Sequence, residues 1–234
     1  MTYVLHYAPD NASLIARLAL EELGVPYHTV LVDRAARVQD SAAYRAINPA
    51  GLIPVLETPQ GPVFETAAIL LWLADTHNRM APNSDAPERG AFLRTLFFMS
   101  NTLHAQMRMV FYPWKYVGTD DDAQSALRSQ LQSRHETDVT LPASLQVVND
   151  FVSMHSGAEP TIIDLYAAAL VRWCALYPAN YTGWFDLRAY PALWDAAARI
   201  EDRASARAAA LAEGLGATPF TAPSPPNPPE GTAL

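Results

Sequence analysis

Hydrophobic residues at the start of the chain alternate between strand-like runs and a helical spacing. Residues 3–7 and 27–32 are rich in β-branched and aromatic side chains, and leucines recur at helical intervals over residues 14–23. This pattern predicts a β-α-β unit. Ser13 stands at the expected N-cap of the helix, and Gly24 follows its last turn.

The next fifty residues extend this unit. In chain order, the pattern predicts a helical patch, a strand after a proline, a turn rich in proline and glycine, a short strand and a second helix. These elements fall at residues 38–46, 54–57, 59–62, 63–64 and 65–77. The predicted order of the first part is therefore β-α-β-α-β-β-α.

Strand signals end near residue 88, after which the sequence is rich in alanine and leucine. The spacing predicts helices near 88–116, 120–153, 161–177 and 190–214, so the fold class is α/β followed by all-α. Thr161 and Asp164 have the spacing of a reciprocal helix cap.

We expect domains over 1–78 and 88–215, joined by a linker rich in proline and asparagine. The tail, 216–234, contains six prolines and is predicted to be extended or disordered, with no assigned fold or function.

Charge and cysteine content exclude several classes of function. Sixteen basic residues stand against 24 acidic ones, so the net charge of −8 opposes binding to nucleic acid. Cys174 is the single cysteine, which excludes an internal disulfide and a CxxC pair, and we expect no metal site. Without a long apolar run or a leader-like start, the sequence predicts a soluble, cytoplasmic protein without a membrane partner.

Two local features suggest chemistry. Proline cannot donate to a strand ladder, so Pro54 at the head of a strand indicates an ordinary turn or a cis Ile53–Pro54 bond. A cis bond would leave the Ile53 backbone free to pair with an extended peptide. Glu65 and Thr66 open a helix, where they could hold the carboxylate and ammonium groups of an amino acid or could simply cap the helix.

These motifs resemble the cytosolic glutathione transferases, especially bacterial members near the beta class and the ether-cleaving enzymes. The likeness rests on residues 48–56 (NPAGLIPVL), 65–74 (ETAAILLWLA), 18–27 (LALEELGVPY) and 161–166 (TIIDLY), and it covers about residues 2–215. It implies a thioredoxin-like first domain, an all-helical second domain, a homodimer and a glutathione site between the domains.

The resemblance also implies roles for individual residues. Ile53, across a cis Pro54, would pair with the glutathione backbone, and Glu65 with Thr66 would hold its γ-glutamyl end. Arg37 and Gln39 are candidates for binding the glycine carboxylate, or else they belong to a solvated surface.

Activation of the glutathione thiol requires a hydrogen-bond donor after the first strand. The cysteine that beta-class members use corresponds to Ala12, which cannot donate a proton. Ser13, Asn11 and Tyr7 remain as candidate catalytic donors, although helix capping, a turn and core packing would also explain them.

The second half offers a candidate pocket for the other substrate. His104, which matches a histidine facing the thiol in relatives, and Arg108 lie on one helical face, with Tyr112 and Trp114 a turn further along. They could bind the electrophile or form a structural network inside the helix.

We therefore expect a glutathione transferase that acts on a hydrophobic or aromatic electrophile, with a role in detoxification. An etherase or an isomerase is compatible with the same motifs. The alternatives are a glutathione-binding ligandin or stress adaptor without activity and, less favoured because Ala12 replaces the cysteine, a disulfide reductase.

Overall fold

The computed structural model describes residues 2–134, 140–155, 157 and 159–233. The first part has the predicted order of elements, confirming the thioredoxin-like fold. Its strands and helices are β1 (Tyr3–Tyr7), α1 (Ser13–Leu23), β2 (Tyr27–Leu31), α2 (Ala42–Ile47), β3 (Val55–Thr58), β4 (Gly61–Phe64) and α3 (Thr66–His77), with a 3-10 turn at Val38–Asp40.

The four strands form one sheet in the order β2-β1-β3-β4. β1 pairs in parallel with β2, with Leu5 opposite Thr29, and antiparallel with β3, with Leu5 opposite Leu56. β3 pairs antiparallel with β4. The loop after β1 and the proline before β3 therefore lie close together, because β1 and β3 are neighbours that run in opposite directions.

The described residues of the second part form helices and no strands. These helices are α4 (Arg89–Phe98), α5 (His104–Phe111), α6 (Trp114–Val117), α7 (Asp121–Gln132), α8 (Leu141–Met154), α9 (Ile162–Leu176), α10 (Pro191–Glu201) and α11 (Ala204–Glu213), with a 3-10 turn at Leu187–Ala189.

Three of the four predicted helical segments are divided. The predicted helix 88–116 contains a π-helical turn at Met99–Leu103, and α5 ends where Pro113 disfavours helical backbone at the residue before it. The segment 190–214 breaks at Arg203, whose backbone is extended. The segment 120–153 is divided between α7 and α8, and its residues 135–139 lie outside the described part.

α9 joins the two parts through a continuous apolar core. It packs against α1 and α3 of the first part and α10 of the second. The predicted reciprocal cap is present at its start: the Thr161 hydroxyl accepts from the Asp164 N–H, and the Asp164 carboxylate accepts from the Thr161 N–H at 2.8 Å.

The tail was predicted to be extended or disordered, and its residues 217–233 pack against the rest of the protein, with bends and turns over 217–222 and no regular secondary structure over 223–228. Phe220 is 1% exposed, and the Glu201 carboxylate accepts from the backbone N–H groups of Phe220 and Thr221. The guanidinium of Arg172 donates to the carbonyls of Pro219 and Ser224. A proline-rich segment makes few backbone hydrogen bonds within itself, so its carbonyl groups are free to accept hydrogen bonds from side chains elsewhere in the protein.

Across the described ranges, the helices are all too short or too polar to cross a lipid bilayer.

Candidate functional site

A cleft of about 310 Å³ lies between the two parts of the chain. One wall comes from the loop after β1, the segment between Arg34 and Pro54, and the start of α3. The opposite wall comes from the π-helical turn, α5, α6 and α9. Most residues predicted to be functional lie on these two walls.

The sequence left two alternatives at Pro54, an ordinary turn or a cis peptide bond, and the structure has the cis bond. The Ile53–Pro54 bond is cis, and both residues line the cleft. Tyr44 and Asn48 fix the preceding segment by donating to the Leu52 carbonyl, at 2.8 and 2.7 Å. The backbone of Ile53 has no hydrogen-bond partner within the described part of the chain. It is therefore available to an extended ligand.

The start of α3 lies in the same cleft. Glu65 precedes the helix with φ of 71° and makes no capping bond with its side chain, so the alternative of ordinary capping by Glu65 is not observed. Its carboxylate is exposed, whereas Thr66 is buried. The first N–H groups of a helix have no partner within it. The cleft thus presents a carboxylate beside free backbone donors.

The two candidates for binding the glycine carboxylate, Gln39 and Arg37, lie in different places. Gln39 lines the cleft, and its buried Oε1 has no hydrogen-bond partner among the described residues. Arg37 does not line the cleft: its exposed side chain forms an ion pair with Asp40 at 2.7 Å. The candidate role of Arg37 is therefore corrected to the surface alternative.

Of the three candidate donors, only Asn11 reaches the cleft, beside Ala12. Asn11 accepts from the Ala12 N–H through Oδ1, which leaves its Nδ2 amide to donate. Ser13 is fully buried, and its hydroxyl donates to the Ala8 carbonyl at 2.9 Å. The helix begins after Ala12 without a side-chain cap, so Ser13 is neither the cap nor a cleft donor. Tyr7 is buried, and its hydroxyl donates to Glu230 instead.

His104 begins α5 directly after the π-helical turn and lines the cleft. Its Nδ1 lies 2.8 Å from the Tyr166 hydroxyl. Burial lowers the pKa of His104 to about 4, and the charge of Arg108 acts in the same direction. The imidazole is consequently neutral near pH 7, when it has one donor and one acceptor nitrogen.

Arg108 and Tyr112 also line the cleft, as predicted, but Trp114 does not. Trp114 is 48% exposed, and its ring stands perpendicular to the Tyr112 ring, because the chain turns at Pro113 and ends the helical spacing that aligned these residues.

Several residues of the cleft were missed. Arg34, Lys115, Tyr116, Tyr166 and Trp173 line it beside the predicted residues. Lys115 is the one lysine of the sequence, and this rarity is a signal that could have singled it out. Nothing in the sequence around Arg34 or Trp173 indicates a site.

A buried network supports the loop that carries Asn11. Asp10 is fully buried with φ of 47°, and its carboxylate accepts from Arg172, Trp173 and Tyr177. Since Trp173 also lines the cleft, this network connects the donor loop with α9.

Other chemistry has little support in the described ranges. Cys174 is buried and burial raises the pKa of its thiol, so it is poorly suited to react. No group of three or more potential metal ligands is found in the part of the chain that the structure describes.

Comparisons with known proteins agree with the geometry. The family described as "Glutathione S-transferase, N-terminal domain" matches residues 12–76. Glutathione S-transferase GST-4.5 of Xanthomonas campestris is 30% identical over 220 residues, covering 90% of this chain and 98% of the relative. Glutathione S-transferase GstA of Escherichia coli O157:H7 is 27% identical over 219 residues, with the same coverage of both chains.

Solved structures have the same overall fold. A sphingomonad glutathione S-transferase complexed with glutathione superimposes with a TM-score of 0.70 at 28% identity, covering 91% of this chain and 100% of the other. A bacterial beta-class enzyme from Sphingomonas chungbukensis gives a TM-score of 0.70 at 28% identity, covering 90% and 98%.

Proposed function

Because the chain belongs to the glutathione S-transferase family, we propose that its cleft binds glutathione and transfers the thiolate to an electrophilic small molecule. The observation that carries this proposal is the convergence of Ile53, Glu65 and Asn11 on one cleft. A tripeptide backbone, an amino-acid end and a thiol each find a matching group there. An aromatic and basic wall faces them from the second part.

The binding mode follows from these groups. The free Ile53 backbone pairs with the cysteinyl residue of glutathione, as an added strand would. The first turn of α3 receives the γ-glutamyl carboxylate, and Glu65 receives the ammonium group. Arg34 donates to the glycine carboxylate, and the unpartnered amide oxygen of Gln39 accepts from the N–H of the glycine residue.

The catalytic problem is ionisation of the thiol. A free thiol has a pKa of about 8.5, and lowering it by about two units requires roughly 2.7 kcal/mol. One hydrogen bond to a charged group contributes about 1.5–3 kcal/mol, so the Nδ2 amide of Asn11 nearly suffices. His104 is the second donor in this proposal: when Tyr166 donates to Nδ1, the neutral ring carries its proton on Nε2.

Asn11→Ala tests this mechanism. We expect kcat with an aryl halide to fall about tenfold to a hundredfold, the loss of one charge-assisted hydrogen bond, with little change in glutathione affinity. Ser13→Ala is the matched loop control, because the Ser13 hydroxyl faces Ala8 rather than the cleft. Rates and calorimetry with glutathione measure both quantities. Unchanged turnover in Asn11→Ala would remove Asn11 from the mechanism.

The same measurements separate transfer from binding alone. Glutathione binding without turnover of aryl halides, epoxides or β-aryl ethers would favour a ligandin or adaptor. This alternative is motivated by Ala12, which stands in place of the beta-class cysteine. Turnover confined to ethers or to double-bond isomerisation would assign the corresponding variant chemistry. The homodimer remains a prediction from the resemblance.

A further inference from the structure

Three cations lie around the ring of Tyr112: Arg34 on the cleft wall that carries the tripeptide site, and Arg108 and Lys115 on the wall opposite. From this arrangement we propose that the second substrate is an aromatic electrophile that carries a carboxylate, and that Arg108 binds this carboxylate. This inference rests on the proposed glutathione transferase function and specifies its substrate class.

The cations lie close to one another. The Arg34 guanidinium donates to the Tyr112 hydroxyl at 3.3 Å, and the Lys115 ammonium lies 4.9 Å from the centre of the Tyr112 ring. Arg108 precedes Tyr112 by one helical turn and lines the same cleft. Partial burial is the largest cause that lowers the pKa of Lys115, and the charges of Arg108 and Arg34 lower it further. Arg108 and Arg34 therefore both repel Lys115 within the cleft.

Within the described ranges, no carboxylate neutralises this cluster directly. Among the described residues, Arg34, Arg108 and Lys115 form no ion pair with an acid. Asp40 acts on Lys115 only at a distance, since its oxygens bind Arg37 and Arg45. In a protein with a net charge of −8, unpaired cations collected in one cleft indicate an anionic ligand.

Glutathione accounts for only part of this charge. In the proposed binding mode its glycine carboxylate reaches the wall that carries Gln39 and Arg34, whereas Arg108 lies on α5 one turn after His104, on the wall of the second part. Phe111, Tyr112 and Tyr116 line the same cleft as Arg108 and offer flat apolar surface to an aromatic ring. A planar guanidinium beside such a surface matches an aromatic carboxylate, which it can bind through two parallel hydrogen bonds.

The reaction leaves this carboxylate unchanged. For an aryl chloride, the glutathione sulfur forms a bond to the ring carbon, chloride leaves with the electron pair of the broken bond, and the thiol proton passes to solvent. The anionic group only orients the ring.

A chlorodinitrobenzoate and its methyl ester, with glutathione at saturation, test the proposal. Each kcat/KM is divided by the uncatalysed rate constant of the same compound, which removes the difference in intrinsic reactivity. We expect the acid to be preferred by the wild type, and Arg108→Gln to lower kcat/KM for the acid at least about tenfold and for the ester less than about threefold. Arg207→Gln, which removes an exposed arginine from α11, serves as the charge control.

Calorimetry separates failure of this inference from failure of the proposed function. Absence of glutathione binding to the wild type would refute the function itself. A drop of tenfold or more in glutathione affinity in Arg108→Gln would assign Arg108 to glutathione and overturn the inference, as would equal losses for acid and ester. Should neither compound be turned over, binding of the unreactive dinitrobenzoate and its ester in the presence of glutathione decides: equal affinities overturn the proposal, and a preference for the acid that Arg108→Gln abolishes supports it.

Discussion

Glu65 combines an exposed carboxylate with a backbone conformation that residues other than glycine rarely adopt. Its φ of 71° lies in the region where a Cβ is disfavoured, which costs about 1–3 kcal/mol, and such residues cluster at functional sites. The cost persists because β4 and α3 fix the position. The proposed contact of Glu65 with the glutathione ammonium group explains why a non-glycine residue is present in this conformation.

Glu65→Gly should therefore stabilise the protein and weaken glutathione binding. We expect the free energy of unfolding to rise by about 1 kcal/mol in urea, while the glutathione Kd rises at least about tenfold because a charged partner is lost. Asn78→Gly is the matched control: Asn78 ends α3 with φ of 50°, so it should change stability without changing binding. Undiminished affinity in Glu65→Gly would contradict the assigned role.

The neutral His104 gives a second prediction, on pH. Its pKa is about 4 in the folded protein and about 6.5 when unfolded, so the unfolded chain takes up the proton first as pH falls. His104 therefore contributes stability above pH 6.5 that is lost toward pH 4, about 2 kcal/mol between pH 7 and pH 5. Urea unfolding of the wild type and His104→Gln at both values measures this. The variant should lose less stability on acidification, and equal losses would show that His104 does not titrate in this way.

Within the donor loop, the sequence predicts the chemistry available but not the direction of each side chain. Ser13, Asn11 and Tyr7 all carry donors close to the end of β1. The left-handed Asp10, fixed by Arg172 and other distant residues, determines which of them faces the cleft. Those contacts span more than 160 residues along the chain, so no local pattern reveals them.

Among the elements, α9 is the helix whose sequence predicts its structure best. Its start is specified by Thr161 and Asp164, and most of its residues are buried, so the cap and the apolar run agree. The long predicted helices nearby were less accurate, since helical periodicity continues through the π-helical turn and does not reveal the break at Arg203. Element type was predictable here because apolar spacing is local, whereas the breaks depend on packing between helices.

Removal of the cap tests how far it fixes α9. Thr161→Ala should lower the free energy of unfolding by about 1–2 kcal/mol, because the Asp164 N–H loses its acceptor and the carboxylate loses a donor. Thr161→Ser keeps both hydrogen bonds and should retain most of the stability. Equal destabilisation by the two substitutions in urea would attribute the effect to the threonine methyl group instead of the cap.

At the scale of the whole molecule, the tail connects the second part of the chain back to the first. Gly231 approaches Leu31 and Pro9, Glu230 accepts from Tyr7, and the Asn227 N–H donates to the Gly214 carbonyl at 2.8 Å. The proline content favours a chain without helices or strands, because proline acts on its own backbone, and residues 217–233 form neither. It could not predict where that chain lies, since this depends on acceptors and cavities formed by residues far away in the sequence.

Two glycines allow the contribution of the tail to be isolated. Gly214 ends α11 with φ of 65°, and Gly24 ends α1 with φ of 66°. A Cβ on Gly214 would lie 2.0 Å from the Asn227 carbonyl oxygen, whereas a Cβ on Gly24 would meet nothing within 4 Å. Alanine at either position therefore imposes a similar backbone cost of about 1–2 kcal/mol, and alanine at Gly214 must also displace the tail.

We expect Gly214→Ala to lower the free energy of unfolding by more than Gly24→Ala, with an excess of about 2 kcal/mol, as for other disrupted buried networks. The excess has a physical source: displacing Asn227 loosens the segment whose carbonyls accept from Arg172, the same guanidinium that holds Asp10 beside Asn11. Limited proteolysis should then cut residues 217–233 faster in Gly214→Ala than in Gly24→Ala. If both variants lose the same stability and resist protease equally, the tail contributes nothing to the fold, and the position of Asn11 depends on α9 alone.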